Sequence, residues 1–438
     1  MKSREHAEFK RRRTRLMEMM APGSIAILAS GQQTVRNRYV TYPFRQDSDF
    51  YYLTGFDLPD AYLVLIPDRA AAQTVFFCNE QDAKDRMWHG IHIGPDEAIT
   101  ALGVDDAFPL EDIDDILPGL IEDKARIYAS VGHHDAADRK LMRWLEGIDD
   151  TDVEIERSRH RLSDLSYLLH ELRLVKSAYE QQLIRTASHI SARAHNRAMR
   201  WVTPGSWEYQ LDAEIQHEFA MAGARRAAYI SIVASGKNNC VLHYTDNNSQ
   251  CHSGDLVLVD AGCEFQHYAS DISRTYPISG TFTPAQRAIY QLVLTAQAAA
   301  IAAIQPGVRF SDGHDAAYAV FAAGLQQLGI TQSIDDDIGN WFMHRTCHWL
   351  GLDVHDVGEY RIDTQSRMLE PGMVMAVEPG LYFQPDDLSI APKWRGIGVR
   401  IEDVVLVTKT GHEVLSADAI KDPDAIEHWM NKQPNRLI

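Results

Sequence analysis

The sequence has no C-x-x-C pair and only five cysteines, Cys78, Cys240, Cys251, Cys263 and Cys347. The missing pair and the odd number argue against a thiolate zinc site and against a disulfide framework, so reduced, buried thiols are expected. Long apolar runs are also missing. None approaches the roughly 20 residues of a membrane span, and the opening "MKSREHAEFKRRRTRLMEMM" carries charge where a signal peptide needs an apolar stretch. A cytoplasmic address without membrane contact is the expectation. Basic residues are in deficit, 43 against 61 acidic ones, for a formal net charge of -18. That sign argues against a general nucleic-acid or anionic-membrane binder and leaves the acids to be accounted for. Internal repeats at solenoid periods and low-complexity linkers are absent too.

What is present is an ordinary globular composition, 45% hydrophobic and 24% charged, over 438 residues. A chain of that length outgrows a single hydrophobic core, so two domains are expected. The style of the sequence changes near residue 173. Before it, short apolar runs such as "SIAILAS", "AYLVLIP", "TVFFCN" and "RIYAS" alternate with polar, helix-like stretches, which predicts a small α/β domain over residues 1–172. After it, Ser177 and Glu180 form a capping-box pattern for a long helix stopped by Pro204-Gly205, and "EYQLDAEIQHEFAMAG" predicts a second helix ending at Gly223. Strand-like runs follow: "AAYISIVASG", "DLVLVDAGCEF", "YASDISRTYPIS", "MVMAVEPGLYF" and "VRIEDVVLVTKTG". Helices first and antiparallel-looking strands later predict an α+β domain over residues 173–438.

Several polar residues do not suit strands. Asp260 ends "DLVLVD" and Asp271 lies inside "YASDISRTY", where aspartate is disfavoured. A hairpin turning around Phe265-Gln266 would set the two opposite each other, close enough for like charges to be costly unless a cation stands between them. Glu378 closes "MVMAVE", and Glu402 in "VRIEDVVLV" shares a face with Arg400 by the period of two. Turn capping accounts for a lone Asp and a salt bridge for a lone Glu, but four such acids together point to a metal.

Histidines add to the set. His344, His348 and His355 fall within a twelve-residue window, and His243 precedes the hairpin in "CVLHYTD". Four carboxylates with one imidazole, from His348, suit manganese, cobalt, iron or zinc rather than calcium, and are enough for two ions sharing a bridge. Gly351 and Gly358 would let the backbone turn beside such a site.

The set "VDAGCEFQHYASDISRTYP", "HWLGLDVHDVGEY", "AVEPGLYF" and "VRIEDVVLV" resembles the pita-bread metallopeptidases, specifically those that remove a residue preceding proline, the Xaa-Pro aminopeptidases. "YPFRQDSDFYYLTGF" and "MWHGIHIGP" extend the resemblance into the N-terminal half. The resemblance implies an α/β N-terminal domain that serves substrate access and oligomer contacts, followed by a catalytic α+β pita-bread domain. It implies that Asp260, Asp271, His348, Glu378 and Glu402 hold two divalent ions, usually Mn2+, with Asp271 and Glu402 bridging. His243 and His355 would line the substrate site and steady the reacting carbonyl, with His344 nearby and Arg400 and Tyr382 assisting. Trp88 matches a tryptophan that reaches a neighbouring subunit's site in tetrameric relatives, which implies a homo-oligomer, a dimer or tetramer. Arg345 and Cys347 depart from the pattern, which commonly has small residues there, and this bears on the shape or charge of the pocket entrance.

The chemistry that follows is hydrolysis of peptides with an Xaa-Pro N-terminus. Two clamped cations would lower the pKa of a shared water and polarise the scissile carbonyl, Glu378 would carry the proton to the leaving nitrogen, and a histidine would donate to the developing oxyanion. Asp260 or a metal would hold the free α-amine. Proline lacks an N–H and its preceding bond isomerises slowly, so peptidase subsites that read that N–H fail on it. Prolidase, which cuts only Xaa-Pro dipeptides, is the alternative reading. A non-catalytic peptide-binding module of the same fold is a more distant one, because all five ligand positions are filled.

Overall fold

The computed structural model describes residues 2–148 and 162–432. The chain divides into two compact units, one ending at Arg173 and the other starting at Leu174.

The N-terminal unit is built on one six-stranded sheet, in the order Asp106–Pro109, Thr74–Cys78, Ala61–Leu65, Ser24–Ala29, Arg126–Ala129, Leu162–Asp164. The sheet is mixed. Ser24–Ala29 runs antiparallel to Ala61–Leu65, which is antiparallel to Thr74–Cys78, while the outer pairings are parallel. Strict alternation of strand and helix therefore fails at residues 66–73, where a loop joins two strands directly. Both of those strands are buried along their whole length. Their unbroken apolar pattern reads like a parallel core strand and conceals the hairpin.

In the C-terminal unit the long helix spans Ala178–Trp201, and its capping box is formed: Ser177 Oγ accepts from the Glu180 amide, and the Glu180 carboxylate accepts from the Ser177 amide. A second helix covers Glu208–Met221. Every strand pairing of this unit is antiparallel. The helices are not confined to the start, however. Pro284–Ala303 and Asp312–Gln327 intervene between the two strand groups, the first opened by a capping box of Thr283 and Gln286 that "TPAQ" spells in the sequence. Their apolar faces pack into the main core with those of the first two helices and the sheets. The run "AAYISIVASG" is not one strand either: pairing stops after Ala227 and resumes at Ile232.

The hairpin register also differs from the expected one. Asp260 pairs with Ser273, not with Asp271, because the two-residue turn is Gln266-His267, one position further along. Both turn residues are left-handed, at φ 49° and 68°, as a tight hairpin turn requires. Between the paired segments the two chains are pinched together at Gly262. A Cβ there would stand 1.7 Å from the Ser270 carbonyl oxygen, so only glycine fits.

Candidate metal centre

The carboxylates sit where strand pairing gives way. Asp260 ends the strand Leu256–Asp260, Asp271 lies two residues before Ser273–Pro277, Glu378 follows Val374–Val377, and Glu402 precedes Asp403–Val407. His348 is the middle residue of Cys347–Trp349. At strand ends the ladder no longer dictates direction, and all five side chains line one cavity of about 550 Å³.

Among the described residues, Asp271, His348 and Glu402 offer ligand atoms all within 4.8 Å of one another. His348 Nε2 stands 3.4 Å from Asp271, 3.7 Å from Glu378 and 3.9 Å from Glu402. Its Nδ1 is 3.0 Å from the Trp349 carbonyl, which can only accept, so Nδ1 carries the proton and Nε2 is left as the ligand atom. Asp260 and Asp271 approach each other across the Tyr229 hydroxyl, which is 2.6 Å from Asp260 and also hydrogen-bonded to Asp271. One phenol proton cannot serve two carboxylates at once. Something positive is needed between them.

The charge balance agrees. Burial raises Asp271, and the Asp260 charge raises it further. Burial and the three neighbouring carboxylates hold Glu402 well above the usual range. Burial pushes Glu378 up to about 7 against the pull of His348 and Arg400. Burial opposes the charged form of His348, but Asp271 and Glu378 outweigh it and hold the imidazole at about 9. Asp260 alone is lowered: burial would raise it, but Arg400, 2.6 Å away, and Tyr229 prevail. Four carboxylates thus face one guanidinium and one imidazole. The residues fit divalent cations, since oxygen-rich sites with one nitrogen bind such ions and relieve this repulsion.

A surrounding shell holds the donors in place. Arg400 Nε donates to Ser273 Oγ, which donates to Glu402, each at 2.8 Å. Buried Arg274 pairs with Asp403 at 2.8 Å and donates to the carbonyls of Ser273 and Glu402, tying together the two strand ends that carry Glu402 and its partner. His344 Nδ1 donates to the Arg345 carbonyl, so its Nε2 accepts from Tyr382, whose oxygen accepts in turn from Arg400, all at 2.9 Å. Burial and Arg400 keep His344 neutral, lowering it to about 4. Tyr382 does not line the cavity. It is fully buried and reaches the site through His344 and Arg400. The buried pair Lys176–Asp356, 2.9 Å apart, anchors the loop that carries His355, and Gly351 lets Asp356 in, since a Cβ there would be 2.2 Å from its oxygen.

His243, His344 and His355 line the cavity. The His348 and His355 rings meet edge to face with centroids 4.4 Å apart. Trp88 is not among the lining residues. It lies on the helix Ala83–His89 of the N-terminal unit, 69% exposed.

Three contributors escape a reading of the sequence. Tyr229 was hidden in an apparent strand, and only the break in pairing there signals it. His314 donates to or accepts from Thr346 Oγ1 at 2.9 Å beside His344, with nothing in its helical context to mark it. Glu208 looks like an ordinary acid in the first turn of a helix. In the fold it is fully buried and accepts from the Ser235 amide and hydroxyl, Asn238, the Tyr244 hydroxyl and the Ser249 amide at 2.7–3.1 Å. It thereby gathers both ends of the segment 236–249 that presents His243.

Residues 182–409 match metallopeptidase family M24, and residues 9–128 match the aminopeptidase P N-terminal domain. The chain belongs to metallopeptidase family M24. Among M24 relatives it is 42% identical over 430 residues to the Xaa-Pro aminopeptidase of Escherichia coli, covering 97% of each chain. A solved aminopeptidase from Pseudomonas aeruginosa superposes with a TM-score of 0.92 at 48% identity, covering 97% of this chain and 98% of the other. A zinc-substituted E. coli aminopeptidase P in complex with product gives 0.92 at 42%, with the same coverage. The pita-bread assignment of the C-terminal unit and the separate N-terminal domain stand on these matches.

Proposed function

We propose that this M24 metallopeptidase removes the N-terminal residue from peptides with proline in second position, using two divalent ions, Mn2+ in this reading. The observation that supports this best is the convergence of Asp260, Asp271, His348, Glu378 and Glu402 on one open cavity. The names of its relatives set the substrate, and they favour the aminopeptidase over prolidase. The bound ions would supply an activated water and an electrophile for the scissile carbonyl. Asp271 and Glu402, whose ligand atoms fall within 4.8 Å of one another and of that of His348, would be the ligands shared by both ions in this reading. Glu378 would take the proton released by the attacking water and pass it to the leaving proline nitrogen. His243 and His355 face the cavity and orient the carbonyl. Asp260, kept ionised by Arg400, holds the α-amine. His344 and Tyr382 form a neutral relay that steadies Arg400. Exposed Trp88 is available to a neighbouring copy in a homo-oligomer, and five unpaired buried cysteines suit a reducing, cytoplasmic setting.

The test is a side-by-side assay of the Mn2+-loaded protein on Ala-Pro, Ala-Pro-Ala and N-acetyl-Ala-Pro-Ala. Cleavage of the free tripeptide and none of the acetylated one is expected. Rapid cleavage of Ala-Pro with the tripeptide ignored replaces this reading with prolidase.

A further inference from the structure

One cation in the cavity wall has no part in the chemistry above. Arg345 lines the cavity and is exposed. Among the described residues its guanidinium has no ion pair and no hydrogen bond; its carbonyl alone is used, accepting from His344. Arg400, the other arginine of the wall, is committed to Asp260, Ser273 and Tyr382. The Arg345 charge reaches Tyr360, another residue of the cavity wall, whose ionisation is set first by burial.

An unpaired guanidinium is a five-donor fork that suits a carboxylate. The reacting end of a peptide offers none, since its N-terminus is a cation bound for the acidic floor. Reach narrows the choice. Arg345 is three residues before His348, so their Cα atoms are at most about 10 Å apart, and the guanidinium extends from there. A carboxylate two residues beyond the scissile carbonyl lies about 7 Å along an extended peptide, within that span. The acid-rich floor repels anions and the chain as a whole is negative, so this arginine is the feature of the wall that would admit one.

We propose that Arg345 is a specificity-determining residue that binds a substrate carboxylate at the third position, either the C-terminus of a tripeptide or an acidic side chain there. This rests on the aminopeptidase reading above. The assay measures kcat/KM of Mn2+-loaded wild type, Arg345→Gln and Arg345→Lys on Ala-Pro-Ala, Ala-Pro-Ala-NH2 and Ala-Pro-Asp-NH2. Wild type should prefer Ala-Pro-Ala over its amide by roughly 3- to 10-fold, the worth of a partly solvated charged pair, mainly through KM and less so at high salt. In Arg345→Gln that ratio should fall to near one, and Arg345→Lys should restore part of it. Ala-Pro-Asp-NH2 cleaved like the free acid supports side-chain anions as ligands; cleaved like the neutral amide, it supports the C-terminus alone. A wild-type ratio near one, or the same ratio in Arg345→Gln, overturns the assignment while leaving the aminopeptidase reading intact. Failure to cleave any of the three overturns that reading and this assignment with it.

Discussion

Asp271 condenses the physics of the site into one side chain. It is buried, shares the Tyr229 hydroxyl with Asp260 and stands 3.4 Å from His348, so its charge is costly until a cation arrives. Asp271→Asn keeps the shape and removes the charge. Turnover should fall by about 100-fold or more as the proposed bridge between the ions is lost. The metal-free variant should melt no lower than metal-free wild type, because repulsion with Asp260 and Glu402 is relieved. Activity assays, metal analysis and thermal melts check this together, and near-normal turnover at full metal occupancy would remove Asp271 from the centre. At this scale the sequence was informative: each acid stood out because it occupied a strand-like run. Tyr229 and Glu208 did not, since a tyrosine in a strand and a glutamate in a first helical turn both satisfy local rules.

Among the elements, segment 236–249 has the most to lose. It presents His243 to the cavity, and Glu208 gathers it with five hydrogen bonds to one carboxylate. In Glu208→Gln one oxygen becomes an NH2 that cannot accept from its former donors, so one end of the segment is released. We expect kcat to drop by roughly 10-fold with metal content unchanged, as for a lost transition-state contact. The same change in a His243→Ala background should cost at most about 2-fold, because a positioning residue has nothing left to position. Equal losses in both backgrounds would assign Glu208 a purely structural role. Helix ends and strand runs of this unit were legible from caps and period. The register was not: a turn of two non-glycine residues, Gln266-His267, carries no Asn-Gly signature, and the pinch at Gly262 depends on a contact with Ser270 across the hairpin.

For the molecule as a whole, the buried charge cluster links folding, pH and metal. In the metal-free protein Glu378 is raised to about 7 and His348 to about 9. The folded chain therefore holds protons that the unfolded chain releases. The stability they contribute is present below their ordinary values and is lost as pH rises through about 7 and then about 9. Shifts of this size are worth roughly 3 kcal/mol each before screening, or several degrees in Tm for a chain of this length. Asp260 is lowered and works in the opposite sense, but only in the acid range outside this window. Metal takes the place of the protons, so the rise in Tm on adding Mn2+ should be larger at pH 8.5 than at pH 6, by about 5 °C or more. Calorimetry of chelated and loaded protein at the two pH values checks it; an increment equal or larger at pH 6 contradicts it.

The sequence by itself determined the two-part division near residue 173, the capped helix that opens the second unit and the residue types of the candidate centre. It could do so because helix caps, apolar period and misplaced carboxylates are local signals within a few residues of chain. Only the tertiary structure decided which residues meet. The mixed sheet of the first unit, the pairing of Asp260 with Ser273, the arrival of Tyr229 between two aspartates and the burial of Glu208 all depend on contacts between segments far apart in the chain. Such contacts form from the shape and hydrogen-bonding needs of both partners at once, and neither partner's own sequence neighbourhood encodes them.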